Sequence, residues 1–226
     1  DVKDIVDNKN TSLKNTSHIS VLNYHFINDS NTKCNQSICL SSKKFEEHLK
    51  YIKKENIFTP TMYEFELYLD KKIQLPKSAL LTFDDGWLRQ TAIKILDEYE
   101  VNATFFLVTS WYLPIETKYV EFHSHTHNMH NRGDCPTGQG GGIQCLSEKK
   151  IQADLSKSRS ILNNTTVFCY PFYEYNNYSI SQLKKAGFTM AFIGGNRKAY
   201  PGVNKYKIPR YVIYNTTTVD KLKKMI

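Results

Sequence analysis

The sequence has no apolar run that approaches the roughly 18 residues of a membrane-spanning helix, so we expect no transmembrane segment. Its first residues, Asp1-Val2-Lys3-Asp4, lack the charged and then apolar pattern of a signal peptide. It has no dense basic block beyond Lys221–Lys224 and no stripe of arginines interleaved with aromatic residues. We therefore expect no nucleic-acid binding. The net charge of +8, spread over scattered lysines, predicts at most a weak association with an anionic cell envelope.

Cysteine is scarce, and none of the five cysteines has the CxxC spacing of a metal site. Cys34 and Cys39 bracket a short polar loop, and Cys135 and Cys145 bracket a glycine-rich loop. Surface loops closed by disulfides are typical of proteins in oxidising compartments, so the spacing predicts two disulfides. Cys169 lies in an apolar run and is expected to be a free, buried thiol. The pattern favours an extracellular or envelope-associated protein whose signal peptide is not part of this sequence.

The length of 226 residues and the hydrophobic content of 40% predict one domain with a sizeable core. Residues 1–17 are polar and predict a flexible leader, and residues 18–226 are assigned to the domain. We expect this domain to act as a monomer.

Strand-like and helix-like segments alternate along the chain, which predicts an α/β fold of the distorted (β/α)7 barrel type. Nearly continuous apolar runs indicate strands that are buried on both faces, as in parallel sheets. In such folds the site lies at the carboxyl ends of the strands. The predicted strands cover residues 19–25, 79–83, 103–108, 119–122, 167–170, 189–193 and 208–214.

Two adjacent carboxylates, Asp84 and Asp85, follow the apolar run that begins at Ala79 and precede Gly86. Side chains alternate along a strand, so both acids can face one way only if the chain turns at Gly86. Two carboxylates in different environments can then take different chemical roles. The alternative is a solvated Asp-Asp-Gly turn that merely ends the strand.

Histidines form the second chemical cluster, with four of the seven lying in residues 123–130. Imidazole together with one carboxylate is a standard ligand set for zinc or another divalent transition ion. Three protein ligands that leave a coordination position open make a catalytic site. A solvated histidine-rich loop that traps metal adventitiously is the alternative.

These motifs resemble those of the NodB-homology polysaccharide deacetylases, also called carbohydrate esterase family four. Within that family the chain is most similar to the biofilm poly-N-acetylglucosamine deacetylases, and the resemblance spans roughly residues 19 to 213. The matching segments are Asn23-Tyr24-His25, Thr82 to Gly86, the stretch from Ser124 to His130, Tyr170-Pro171-Phe172 and Ile208-Pro209-Arg210.

The resemblance implies metal-dependent removal of acetyl groups from an N-acetylglucosamine-containing polysaccharide. The substrate that it favours is poly-β-1,6-N-acetylglucosamine. It implies one divalent ion, Zn²⁺ ahead of Co²⁺ or Ni²⁺, held by Asp85, His125 and His130, with Asp84 as the general base. A deacetylase of peptidoglycan or chitin, or a non-catalytic carbohydrate-binding relative, remains an alternative.

The sequence leaves two assignments of histidines open. His123 and His127 have the four-residue spacing that is common in the family, whereas His125 and His130 have the five-residue spacing of the biofilm subgroup. No histidine follows His130, so the resemblance implies that His25 supplies the general acid from the first strand. A buried strand histidine without a catalytic role is the alternative.

The family's third motif is altered here, because the segment from Phe168 to Glu174 lacks the usual arginine. We expect Arg210 to replace it by orienting Asp84. A backbone N–H at Phe172 or Tyr173 is the expected oxyanion donor, since that role needs no particular side chain. Trp87 is expected to stack on a sugar face, with Trp111, Tyr173 and Tyr175 as further candidates.

Overall fold

The computed structural model describes residues 15–29 and 34–226, so residues 1–14 of the predicted leader lie outside the described part. Seven strands form one sheet in the order β8-β7-β6-β5-β4-β1-β9, and every neighbouring pair is parallel. These strands are β1 (Ser20–Tyr24), β4 (Ala79–Phe83), β5 (Ala103–Leu107), β6 (Val120–Ser124), β7 (Val167–Cys169), β8 (Met190–Phe192) and β9 (Tyr211–Val212). Two short strands that the sequence did not predict, β2 (Phe26–Asn28) and β3 (Cys39–Ser41), pair with each other in the loop region after β1.

The segment before β9 closes the sheet towards β8. The N–H of Ile193 donates to the carbonyl of Ile208 at 2.9 Å, and the N–H of Ile208 donates to the carbonyl of Ala191 at 3.0 Å. The same segment then enters β9, which pairs with β1. The predicted seven-stranded barrel is therefore confirmed, and Arg210 lies in the closing segment.

Helices follow most strands and cover the outside of the sheet. The second helix shows how the sequence sets a boundary, because the hydroxyl of Thr61 accepts from the N–H of Glu64 and the carboxylate of Glu64 accepts from the N–H of Thr61. The helices are α1 (Ser42–Lys54), α2 (Met62–Leu69), α3 (Arg89–Tyr99), α4 (Glu148–Ile161), α5 (Asn177–Lys185) and α6 (Val219–Met225), with 3-10 turns at Gly142–Gln144 and Pro171–Tyr173.

Alternation along each strand divides the core between two faces. Leu81 and Phe105 pack with the helices, whereas their neighbours Leu80 and Phe106 fill the barrel interior. Both faces are buried, and this is why the strands appear in the sequence as continuous apolar runs. The polar ends of the strands are thereby left to form the site.

Both predicted disulfides, Cys34–Cys39 and Cys135–Cys145, are present, and Cys169 is free and buried. Within residues 15–29 and 34–226, no helix combines the length and the apolar character that crossing a membrane requires.

Candidate active site

The end of β4 turns sharply and separates the two acids. The N–H of Asp84 donates to the carbonyl of Tyr24 at 3.2 Å, which continues the pairing with β1 by one residue. Asp85 then adopts φ 69° and Gly86 φ 101°, and a Cβ at Gly86 would lie 2.7 Å from Leu107 Cδ2. Glycine is therefore required at this turn, both by its conformation and by its close packing. Asp84 is left buried behind Asp85, which is half-buried at the cavity floor.

Asp84 forms a bidentate ion pair with Arg210. Nη1 donates to Oδ1 at 2.8 Å and Nη2 to Oδ2 at 2.7 Å. Burial alone would raise the pKa of Asp84, but the charge and the hydrogen bonds of Arg210 hold that pKa well below its usual range. Asp84 is therefore a carboxylate that stays ionised at neutral pH.

Arg210 is completely buried, and each of its five N–H groups has a partner. In addition to the two bonds to Asp84, Nε donates to the carbonyl of Ile193 at 3.2 Å and Nη1 to Oγ1 of Thr82 at 3.2 Å. The fifth N–H, on Nη2, lies 2.9 Å from Sγ of Cys169. These contacts fix the guanidinium and, through it, the carboxylate of Asp84.

Asp85, His125 and His130 bring three metal-type ligand atoms together. Oδ1 of Asp85 lies 3.4 Å from Nε2 of His125 and 3.2 Å from Nε2 of His130. The other ring nitrogen of His125, Nδ1, lies 2.8 Å from the carbonyl of Cys169. A carbonyl can only accept, so Nδ1 carries the proton and Nε2 offers its lone pair to the site.

This donor set fits a divalent transition ion. Ligands bonded at about 2.0–2.1 Å to a tetrahedral ion are separated by about 3.3 Å, close to the spacing of Asp85 Oδ1 from the two histidine nitrogens. One carboxylate and two imidazoles suit Zn²⁺, Co²⁺ or Ni²⁺ better than the all-oxygen preference of Ca²⁺ or Mg²⁺. Within the described residues, Asp84, His125 and Cys169 also cluster, but the guanidinium of Arg210 already occupies the contacts of Asp84.

The other two histidines of the cluster point elsewhere. Nδ1 of His123 lies 2.6 Å from Oγ1 of Thr165, and Nδ1 of His127 lies 2.9 Å from Oγ1 of Thr109. Neither His123 nor His127 lines the cavity that holds Asp85. The structure thus brings together His125 and His130 at the cavity and leaves His123 and His127 outside it.

Asp154 anchors this loop, although no motif in the sequence identified it. Its two carboxylate oxygens accept from the N–H groups of His127 at 2.7 Å and Asn128 at 2.6 Å. Burial raises the pKa of Asp154, although these two donors oppose the shift. Thr126, which adopts φ 80°, makes the turn that separates His125 from the anchored segment.

His25 lies at the end of β1 beside the general-base candidate. Its Nε2 is 4.0 Å from Oδ2 of Asp84 and 3.4 Å from the hydroxyl of Tyr173. Burial lowers the pKa of His25, and the negative charge of Asp84 opposes that shift. The two groups proposed as acid and base therefore flank one space.

A cavity of about 460 Å³ opens at the carboxyl ends of the strands. It contains most of the predicted site residues, while Arg210 lies behind Asp84. Trp87 is not in the lining and packs edge-on against Phe26 at 4.9 Å between ring centroids, whereas Trp111 lines the cavity and is 47% exposed. The lining is His25, Phe26, Gln36, Ile38, Asp84, Asp85, Trp111, His125, His130, Arg132, Phe172, Tyr173, Val212 and Tyr214.

Several of these lining residues were not identified from the sequence, because they belong to connecting loops without a distinctive pattern. Arg132 follows the histidine cluster, lies over the ring of Phe172 at 5.6 Å and donates to Oε1 of Gln139 at 2.6 Å. Tyr214, 42% exposed, follows β9. Only the assembled barrel places these loops around one opening.

Phe172 and Tyr173 adopt left-handed conformations, with φ 57° and φ 63°, which are uncommon for residues with large side chains. Outliers of this kind often occur at functional sites. The N–H of Tyr173 donates to the carbonyl of Tyr170 at 3.0 Å and is therefore engaged. Of the two amides considered as oxyanion donors, that of Phe172 is the better candidate.

The chain is similar to known proteins in sequence and in fold. The family model described as polysaccharide deacetylase matches residues 71–191, more than half of the chain. The poly-β-1,6-N-acetyl-D-glucosamine N-deacetylase of Staphylococcus aureus (strain MRSA252) is 29% identical over 228 residues, covering 85% of this chain and 77% of the relative. The enzyme of the same name from Staphylococcus epidermidis (strain ATCC 35984) is 25% identical over 244 residues, covering 92% of this chain and 83% of the relative.

Two solved structures share the fold. A de-N-acetylase from Aggregatibacter actinomycetemcomitans superimposes with a TM-score of 0.77 at 20% identity, covering 92% of this chain and 100% of the other. IcaB from Ammonifex degensii superimposes with a TM-score of 0.76 at 18% identity, covering 93% and 97%. At these identities the likeness shows a shared fold and no more.

Proposed function

This chain belongs to the polysaccharide deacetylase family, and on that premise we propose that it hydrolyses the N-acetyl groups of poly-β-1,6-N-acetylglucosamine. The observation that carries the proposal is the convergence of Asp84, Asp85, His125, His130 and His25 on one cavity. The staphylococcal relatives, which are named for this polysaccharide, support the choice of substrate.

The ligand set supports one divalent ion, for which we propose Zn²⁺ ahead of Co²⁺ or Ni²⁺. Asp85, His125 and His130 would hold it. When bound, such an ion lowers the pKa of water and polarises the acetyl carbonyl.

The residues of the chain would divide the remaining work. Asp84, kept ionised by Arg210, accepts a proton from the attacking water as the new C–O bond forms. The N–H of Phe172 would donate to the carbonyl oxygen as negative charge develops there.

Amide cleavage also needs an acid, because an amine leaves readily only after its nitrogen gains a proton. Protonated His25 gives the proton on Nε2 to that nitrogen as the C–N bond breaks, so the products are acetic acid and a free amine. The proton held by Asp84 then returns to His25 by way of a water molecule, because Oδ2 and Nε2 are 4.0 Å apart and therefore too distant for direct transfer. The balance needs water and no further reactant.

Location and assembly are part of the proposal. The two disulfides support an extracellular or envelope-associated protein. Because all the residues of the site come from one chain, we propose that a monomer is sufficient for activity.

The deciding experiment measures acetate release from β-1,6-linked N-acetylglucosamine oligomers, chitin oligomers and peptidoglycan, with and without added Zn²⁺, Co²⁺ or Ni²⁺. We expect metal-dependent release from the β-1,6-linked oligomers above the other two. Asp84→Asn is the control, because it removes the charge with little change of shape and should abolish most of the release. Preference for chitin or peptidoglycan would replace the proposed substrate, and no release from any substrate would support a non-catalytic carbohydrate-binding protein.

A further inference from the structure

The side chain of Tyr173 connects two residues at the end of β1. Its hydroxyl oxygen lies 2.6 Å from Oδ1 of Asn23 and 3.4 Å from Nε2 of His25. Asn23 and His25 are two positions apart, so both point to the same side of the chain as it leaves the strand. Tyr173 reaches them from the turn after β7, 148 residues from His25 in the sequence.

The direction of each hydrogen bond follows from one group that can only accept. The carbonyl of Tyr24 accepts from Nδ2 of Asn23 at 3.0 Å, which fixes the amide orientation and turns Oδ1 towards Tyr173. Oδ1 can only accept, so Tyr173 donates its single hydroxyl proton to Asn23. The hydroxyl oxygen then presents a lone pair to His25, and Nε2 of His25 must carry a proton to complete the contact.

The ring of Tyr173 is held so that its hydroxyl cannot easily turn away. A Cβ at Gly194 would lie 3.2 Å from Cγ of Tyr173, so the ring lies directly against this glycine. The guanidinium of Arg210 lies 5.5 Å from the ring centroid. The backbone of Tyr173 stays in the left-handed region at φ 63°, a conformation that needs support from the surrounding packing.

The other ring nitrogen of His25 receives no comparable support. Nδ1 is buried and has no hydrogen-bond partner among the residues that the structure describes. The hydrogen bond to Tyr173 therefore orients the imidazole of His25. It does so on the side of the ring that faces the cavity, where the leaving nitrogen would lie.

We propose that Tyr173 is a positioning residue: its hydroxyl, locked by Asn23, keeps the proton of His25 on Nε2 and holds the Nε2 edge of the ring at the cavity, where the leaving nitrogen can take over that N–H. The inference rests on the proposed function, because it assigns to a side chain the orientation of the general acid. It also gives a reason for a tyrosine at a left-handed position, where glycine would be less strained.

The test compares two substrates in Tyr173→Phe, which keeps the ring and removes only the hydroxyl. We expect kcat for the N-acetylated sugar to fall by about 10- to 100-fold, a part of the roughly 10²- to 10⁴-fold that a general acid supplies. Hydrolysis of an acetyl ester with a nitrophenolate leaving group should keep the parent rate, because that leaving group needs no proton. KM for the sugar should change little.

Tyr206→Phe is the matched control, since it removes a hydroxyl that donates to the carbonyl of Phe188 outside the cavity. It should leave the amide-to-ester ratio unchanged. In the Tyr173→Phe background, Asn23→Ala should cause no further loss in that ratio, because Asn23 acts through the missing hydroxyl. If Asn23→Ala does not fold, the two tyrosine variants still decide the question.

A second readout does not depend on activity. In ¹⁵N-histidine-labelled protein, with the His25 signals assigned from His25→Gln, the neutral ring should carry its proton on Nε2 in the parent and lose that preference in Tyr173→Phe. An unchanged amide-to-ester ratio, an equal fall on both substrates, or a neutral ring protonated on Nδ1 in the parent would overturn the inference. A parent protein that releases no acetate from any N-acetylated sugar would overturn the proposed function instead. The ¹⁵N measurement of the His25 tautomer would still test the hydrogen bond to Tyr173 in that case.

Discussion

Arg210 and Asp84, 126 positions apart in the sequence, form a buried bidentate ion pair with N–O distances of 2.8 and 2.7 Å. The pair joins the end of β4 to the segment that closes the barrel. The orientation of the carboxylate therefore depends on the closure of the fold as well as on the local turn.

Replacing Arg210 with lysine should keep the charge but lose the fork that holds Asp84. Lysine cannot satisfy Ile193, Thr82 and both carboxylate oxygens together, so we expect the free energy of unfolding to fall by about 1–3 kcal/mol. At temperatures where the variant stays folded, kcat/KM for deacetylation should still fall, because the carboxylate of Asp84 can rotate away from the position it needs. Urea unfolding and kcat/KM measure the two effects.

Arg197→Lys is the control for this variant, because Arg197 is exposed and lies outside the cavity. It should behave like the parent protein. Parent-like stability and activity in Arg210→Lys would contradict a positioning role for the guanidinium.

Removing any one of Asp85, His125 and His130 should abolish tight binding of the metal. Each alanine variant loses one of three ligands, and the two that remain cannot close the coordination sphere. The metal content after dialysis, measured by atomic spectroscopy, should fall from one ion per chain to a small fraction. His123→Ala and His127→Ala should retain the ion, and loss of metal in these two variants instead would transfer the ligand assignment to them.

His25→Ala should slow amide cleavage without releasing the metal. General-acid help is typically worth about 10²- to 10⁴-fold in rate, so the loss on the N-acetylated sugar should be large. An activated acetyl ester should be affected far less, because its leaving group needs no proton. A variant that cleaves the amide at the parent rate would show that the acid comes from another residue.

His48 should make the protein less stable as the pH falls, independently of the active site. It is buried, with Nδ1 3.2 Å from the hydroxyl of Tyr24 and Nε2 3.1 Å from the carbonyl of Thr217. Burial lowers the pKa of His48, so below about pH 6.5 the unfolded chain binds a proton that the native protein does not. Stability from this group is therefore present above that pH and declines as the pH falls further.

Urea midpoints between pH 7 and pH 5 test this expectation. One such group contributes at most about 1.4 kcal/mol per pH unit to the slope. His48→Gln removes the titration while keeping polar atoms, so its stability should depend less on pH. Equal slopes in the parent and the variant would contradict the assignment.

The sequence alone was sufficient to predict the local features of this protein. The apolar run before Asp84 predicted a strand buried on both faces, and Gly86 predicted a turn directly after the two acids. The short spacing of Cys34 from Cys39 and of Cys135 from Cys145 predicted the disulfides. These features depend on neighbouring residues, and strand periodicity and turn chemistry are visible over a few positions.

The tertiary structure decided which distant side chains meet. Trp87 follows the site motif directly, yet it turns towards Phe26, whereas Trp111 reaches the cavity from the loop after β5. The contact between Tyr173 and Asn23 had no signal in the sequence, and Arg210 could only be suggested as a partner for Asp84. Such contacts depend on barrel closure and on loop conformations set by long-range packing, which residue spacing along a single chain does not encode.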